Sequence, residues 1–280
     1  MSAPPSYDES QAQHQAPPYH NWQEAVPDTA TFPPPPVSGY YASGTGNASS
    51  DDADRAHAFC DNTPLWKPVM PSPARVGRPR PPPAREWKGA TADRNRDCVI
   101  LTHLPLYFAA VDSPFERETS KTIYFEVTLL GLRAGPGADQ SGFSIGFAAQ
   151  PYPSWRSPGW ERGSLGVCSD DGCRFVNDSF GGRDFTNPFN VGETVGVGMV
   201  FTLPDKISAD SKDRRRCKVK VFFTRDGRRV GEWDLHEEVD AESGSVEGLE
   251  GDYDLYGAIG LFGGVDFKAC FSPTGWRWRP

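Results

Sequence analysis

The sequence predicts an all-β fold, an antiparallel β-sandwich, preceded by a long disordered Pro-rich arm. Short apolar/polar alternating runs recur between residues 122 and 271 with Gly, Pro and Asp between them, the pattern of an all-β domain. No helical periodicity of more than two turns stands out anywhere in the chain. Seventeen of the 27 prolines fall in residues 1–85, where long apolar runs are absent, so burial there cannot offset the entropy of ordering. These observations divide the chain into an arm, 1–85, and one globular domain, 86–280, with its core over 120–272. The second part is long enough to bury a sizeable core.

The strands follow in order. Thr122–Leu130 alternates, with Ile123, Phe125, Val127 and Leu129 on one face and Thr122, Tyr124, Glu126 and Thr128 on the other. Phe143–Ala148, Gly163–Cys168 and Thr194–Phe201 come next. Lys218–Thr224 meets Arg229–Asp234 through Arg225-Asp226-Gly227-Arg228. Asp-Gly between two such runs is a hairpin signal, because a type I′ turn needs positive φ at both central residues. Tyr256–Phe262 and Phe267–Phe271 close the set.

Charge and targeting signals narrow the function. The net charge is −8, which disfavours a general nucleic-acid-binding surface. Residues 1–54 hold seven acidic side chains and no Lys or Arg, whereas 55–85 hold six basic ones against Asp61 alone. That asymmetry reads as solvation or weak steering, with recruitment to an anionic membrane as the lesser alternative. The N-terminus lacks the apolar core of a signal peptide, and the longest apolar run, Cys98 to Val111, is too short to span a bilayer. The expectation is a soluble protein on the cytosolic side. The six cysteines lack metal-ligand spacing, so free thiols and no metal are expected.

Catalysis finds little support. His103 and His236 have no Cys or Ser pattern suggesting a nucleophile and its base, and neither a phosphate-binding Gly loop nor HExxH is present. A sandwich can host a glycosidase using two carboxylates. The acidic residues here, however, cluster in expected loops: ten lie between Glu232 and Asp254 with no Lys or Arg among them.

The blocks YFEVTLL, SIGFA, the PYP…PGW connection, GSLGVCSDDG, GGRDF, VGETVGVG, VFFTRDGRRVG and YGAIGLF stand in the order expected of SPRY domains. Across 120–272 the chain resembles this family, particularly fungal endosomal SPRY proteins and the Ran-binding-protein type. The resemblance implies a concanavalin-like sandwich without catalytic apparatus or cofactor, and residues 86–119 as a preceding strand and packing segment. It also implies a peptide-binding surface. The matching positions are Tyr152, Trp155 and Arg156 in the long connection and Leu261, Phe262 and Gly263 at a strand end. Aromatics and Arg supply anchoring area with a polar handle. Trp160 reads as a core or bracing residue. Two stretches depart from the pattern: the polar loop 203–217 and the acidic loop 232–254, whose charges could pair with Arg214, Arg215 and Arg216.

The arm carries Pro4-Pro5-Ser6-Tyr7, a PPxY ligand for WW domains, and a degenerate second copy in Pro17-Pro18-Tyr19. Prolines pre-set a polyproline II strand that lies in an aromatic groove and aims the Tyr into a neighbouring pocket. RVGRPRPPPAR at 75–85 fits neither SH3-ligand orientation and reads as a semi-rigid spacer. The resembling fungal proteins use PPxY to engage WW-domain HECT ubiquitin ligases. The expected function is therefore a non-catalytic adaptor whose sandwich binds a client, membrane proteins included, at the periphery of the endosome or vacuole membrane. The alternative is a SPRY scaffold subunit of a multiprotein complex with no ligase recruitment.

Overall fold

Alternation along the strands decides the two layers of the computed structural model, which describes residues 49–71, 86–136, 140–178, 182–204, 216–237 and 246–279. In chain order these hold helix α1 (Ser50–Asn62), strands β1 (Trp87–Ala90) and β2 (Cys98–Leu101), and short helices α2 (Ala109–Asp112) and α3 (Pro114–Arg117). The long strands follow: β3 (Lys121–Leu132), β4 (Gly142–Ala149), β5 (Ser164–Cys168), β6 (Arg174–Val176), β7 (Thr194–Thr202) and β8 (Lys218–Arg225). β9 (Arg228–Asp234), β10 (Leu255–Phe262) and β11 (Val265–Cys270) complete the set. One sheet has the order β1-β11-β3-β7-β8-β9 and the other β2-β10-β4-β5-β6.

Inward positions of both sheets make one core. Phe125, Val127, Val197, Met199, Val221 and Phe223 of the first sheet oppose Ile145, Phe147, Leu165, Val167, Ile259 and Leu261 of the second. Phe125 meets Phe147 edge-to-face with ring centroids 5.5 Å apart. Each such side chain contributes about 1.5–3 kcal/mol by leaving water. The expected sandwich and its eight strands are present. At the β8–β9 hairpin Asp226 and Gly227 have φ of 47° and 80°, as a type I′ turn requires.

Residues 86–119 were expected to add one strand. They add two, one to each sheet: β1 pairs with β11 and β2 with β10. Tyr107 then plugs the sandwich end, fully buried, stacked on Phe201 at 4.3 Å and donating its hydroxyl to the Gly251 carbonyl at 3.0 Å. Among the Arg214–Arg216 run, Arg216 is described. It reaches Glu250 at 3.2 Å with about half its side chain exposed, a pair worth little in stability.

The reading of no helix longer than two turns is corrected by α1, 13 residues within the stretch assigned to the arm. Ser49 caps it, its hydroxyl accepting from the Asp52 N–H, and Asp51 and Asp52 lie in the first turn, where the helix dipole favours negative charge. Only Ala56 of α1 is buried, so the apolar stripe that marks an amphipathic helix is nearly absent. Leu65, just beyond, packs against the core cluster.

The C-terminal tail covers the outer face of the six-stranded sheet. Buried Glu126 accepts from the main-chain N–H of Arg277 and of Trp278, both at 2.8 Å, and from the Tyr124 hydroxyl at 2.8 Å. Trp276 and Trp278 lie against the Tyr124 ring at 4.8 and 4.7 Å.

Candidate functional site

The long connection between β4 and β5, residues 150–163, lies across the outer face of the five-stranded sheet. Its approach is close because the floor is glycine. A Cβ placed on Gly166 would stand 2.3 Å from the Pro158 carbonyl oxygen, and one on Gly260 would stand 2.7 Å from Pro158 Cδ. The connection is fixed by its own polar groups. Tyr152 Oη donates to the Ser157 carbonyl at 2.5 Å, and Ser164 Oγ accepts from the Gly159 N–H at 2.8 Å. Main chain also ties it to the sheet edge, since the Val99 N–H donates to the Ser154 carbonyl at 2.9 Å.

At its centre Arg156 and Glu161 form an ion pair, Nε to Oε1 at 2.7 Å, with both side chains 3 % exposed. The Arg156 guanidinium also stands over the Trp160 ring at 4.7 Å. Burying two charges costs several kcal/mol per ion, recovered only when geometry and hydrogen bonding are good. Trp160 further packs edge-on against Phe175, the bracing position the sequence suggested.

Helix α1 roofs this connection. Trp155 donates its indole N–H to the Asp52 carbonyl at 3.1 Å, takes Phe59 edge-on at 5.9 Å and carries the Arg55 guanidinium 4.1 Å above its ring. Arg162 donates to the Cys60 carbonyl at 3.1 Å and to the Thr63 carbonyl. It supplies the cation that the last turn of α1 lacks. Cys60 Sγ and His57 Nε2 both lie over Glu161 Oε2, at 3.9 and 3.7 Å. Burial pushes the Cys60 thiol up to about 11, so it stays protonated beside the carboxylate. Asp52 also pairs with Arg96 at 3.0 Å. Nearby, burial pushes the Asp97 carboxyl up to about 7; Arg156 and Arg96 pull it down and Asp52 pushes it further up.

The six positions expected to form a peptide surface divide. Tyr152 and Arg156 are buried within the connection, and Trp155 is half-buried beneath α1. Leu261 and Phe262 are strand neighbours, so they point to opposite sides. Leu261 joins the inter-sheet core, 1 % exposed, which makes it a packing residue instead of a surface one. Phe262 points to the outer side but is buried. Gly263 is a buried turn residue with φ 68° whose N–H donates to the Asn95 carbonyl. Arg162, Glu161 and the helix itself were missed. The available signal for the helix was Ser49-Ser50-Asp51-Asp52, a capping-box-like start before Ala53, Ala56 and Ala58. Pro4, Pro5, Tyr7, Pro17, Pro18 and Tyr19 lie outside the described residues.

Among the described residues no group of three His, Cys, Asp or Glu side chains is placed to hold a metal ion, and no helix is long and apolar enough to cross a membrane. All six cysteines are free.

No protein-family profile matches the chain. Individual proteins do. The chain is 32% identical over 138 residues to a SPRY domain-containing protein of Schizosaccharomyces pombe, a match covering 49% of this chain and 28% of that protein. It is 30% identical over 115 residues to human SPRY domain-containing protein 3, covering 40% and 22%. It is 29% identical over 134 residues to Protein ssh4 of Sclerotinia sclerotiorum, covering 48% and 20%. The matches thus span less than a third of each relative's length. These relatives share the SPRY designation or the ssh4 name, and the two packed sheets agree with a SPRY-like sandwich. Over 115 to 138 residues the chain is therefore similar to SPRY domain-containing proteins and to fungal ssh4, and its two packed antiparallel sheets are consistent with a SPRY-like fold.

Proposed function

We propose that this protein is an adaptor: its sandwich selects a client protein, and its arm brings a WW-domain HECT ubiquitin ligase to that client. The observation that carries the reading is the pairing, in one chain, of a SPRY-type sandwich with Pro4-Pro5-Ser6-Tyr7. Proline at two successive positions holds a polyproline II strand at low entropic cost, and Tyr7 adds the aromatic anchor. A Pro-rich surrounding keeps such a ligand extended and accessible. The client side rests on the connection 150–163 and its roof, where Trp and Arg, the residue types that dominate binding energy at interfaces, are concentrated. Ubiquitin-dependent sorting or degradation of the client, at the cytosolic face of endosome or vacuole membranes, is the process this pairing would serve.

The test is binding of the full chain, and of a residue 1–25 peptide, to isolated WW domains of a HECT ligase. Tyr7→Ala and Tyr19→Ala are measured beside the parent. Micromolar binding that disappears with Tyr7→Ala supports the adaptor. Binding that ignores Tyr7, or none, leaves a SPRY scaffold without ligase recruitment.

A further inference from the structure

Helix α1 is attached to the sandwich in an unusual way for a structural helix. Of its side chains only Ala56 is buried. An isolated helix of this length is marginal in water, so docking is what keeps it formed. The docking contacts lie along one stripe, Asp52, Ala56 and Phe59, at the i, i+4, i+7 spacing of a single helix face. Beneath it the sandwich offers Trp155 as an aromatic platform and indole donor, Arg96 opposite Asp52, and Arg162 directed at the last-turn carbonyls. The centre of that platform is the buried Arg156–Glu161 pair. A contact serving stability alone needs no ion pair, since well-packed apolar side chains of similar volume are often as stabilising or more so. Trp155 and Arg162 beside that pair are of the residue types that dominate binding energy at recognition surfaces.

We propose that the surface made by Trp155, Arg156, Glu161 and Arg162 is a helix-binding site that α1 occupies in cis. Its partner is a client helix of the same chemistry, with an acidic first turn, a small residue one turn on, an aromatic one turn beyond that and a last turn without a cation. This rests on the reading of the sandwich as an interaction module and assigns that module its ligand class. Leu65 is the anchor: it packs against the core at Gly163 and Gly248, so α1 swings away about Thr63–Pro64 while the chain beyond stays attached. The Trp66 N–H, bonded to the Gln150 carbonyl at 2.7 Å, holds the same point.

The test uses the full chain. Hydrogen exchange should show α1 amides opening at least a hundredfold faster than those of β4. A labelled peptide of residues 49–63 should bind the chain carrying Asp52→Arg and Phe59→Ala at least tenfold more tightly than the parent, whose own helix competes. A peptide bearing the same two substitutions should not bind. The proposal is overturned if α1 amides exchange as slowly as β4 amides, if the doubly substituted chain loses its cooperative unfolding, or if that chain stays folded and binds no peptide. WW-domain binding of residues 1–25 is read separately, so failure of ligase recruitment and failure of the helix site are distinguishable.

Discussion

The indole of Trp155 and the main-chain carbonyl of Asp52 share a hydrogen bond of 3.1 Å between residues 103 positions apart. The bond joins a helix with almost no buried side chains to the loop that carries the aromatic surface. Trp155→Phe keeps an aromatic ring under Phe59 and Arg55 but removes the donor and trims the ring. A single hydrogen bond is worth about 1 kcal/mol, so α1 should open about fivefold more often. Hydrogen exchange at residues 50–62 checks this, with global stability expected to be unchanged.

The Arg156–Glu161 pair should behave very differently. Both partners are 3 % exposed, so Glu161→Ala leaves a guanidinium buried without its counter-charge. Removing one partner of such a pair costs about 3–5 kcal/mol. The expected outcome is a large fall in the urea midpoint with an unchanged slope. Replacing both, Arg156→Met with Glu161→Leu, should recover most of that loss while abolishing binding of the 49–63 peptide.

Asp97 should contribute a loss of stability as pH rises toward neutrality. Asp97, facing Arg156, Arg96 and Asp52, titrates at about 7 in the folded chain instead of at its ordinary 3.8. A carboxyl raised on folding contributes stability that is complete below its unfolded value and is lost as pH climbs through the folded one. His236, raised above its ordinary 6.5 chiefly by its hydrogen bond to Glu250, adds a loss in the same direction at the upper end. Asp97→Asn should flatten the decline from about pH 4 to about pH 7 and make the chain more stable than the parent above it. His236→Gln should leave that lower segment intact. Urea midpoints measured across this range separate the two.

Glu126 should control the C-terminal tail. It accepts from the Arg277 and Trp278 main chain and from Tyr124. Glu126→Ala strands those donors, at a cost of about 2–3 kcal/mol for bonds to a charged acceptor. Tyr124 keeps its bond to Thr224, so the sheet beneath should hold. Trypsin should cut after Arg277 markedly faster in the variant, as read by mass spectrometry.

The sandwich was legible in the sequence because one face of each long strand fills the apolar space between the sheets, and that face writes a two-residue hydrophobic period. Ile123, Phe125, Val127 and Leu129 show it plainly. The edge strands β1 and β2 were not separable, since partial exposure on both faces leaves Trp87–Ala90 and Cys98–Leu101 without alternation. Helix α1 was hidden for a different reason: its attachment uses main-chain carbonyls, polar side chains, one alanine and Phe59, which leave only a faint hydrophobic pattern. The composition of the site was legible, in Tyr152, Trp155 and Arg156, but its depth was not. Arg156 reads as a surface group until its partner Glu161, five residues on, is seen to be folded beneath a helix from another part of the chain.

The glycine floor under Pro158 also bears on how this loop can change. With Gly166 and Gly260 admitting no side chain, the connection and the two strands below it form a matched mould and casting. A larger residue in the floor would lift the whole segment. Transplanting residues 150–163 onto a different sandwich would therefore carry over its shape only if those two floor positions travelled with it, and repertoires varied at this loop should vary in side chains while holding its backbone path constant.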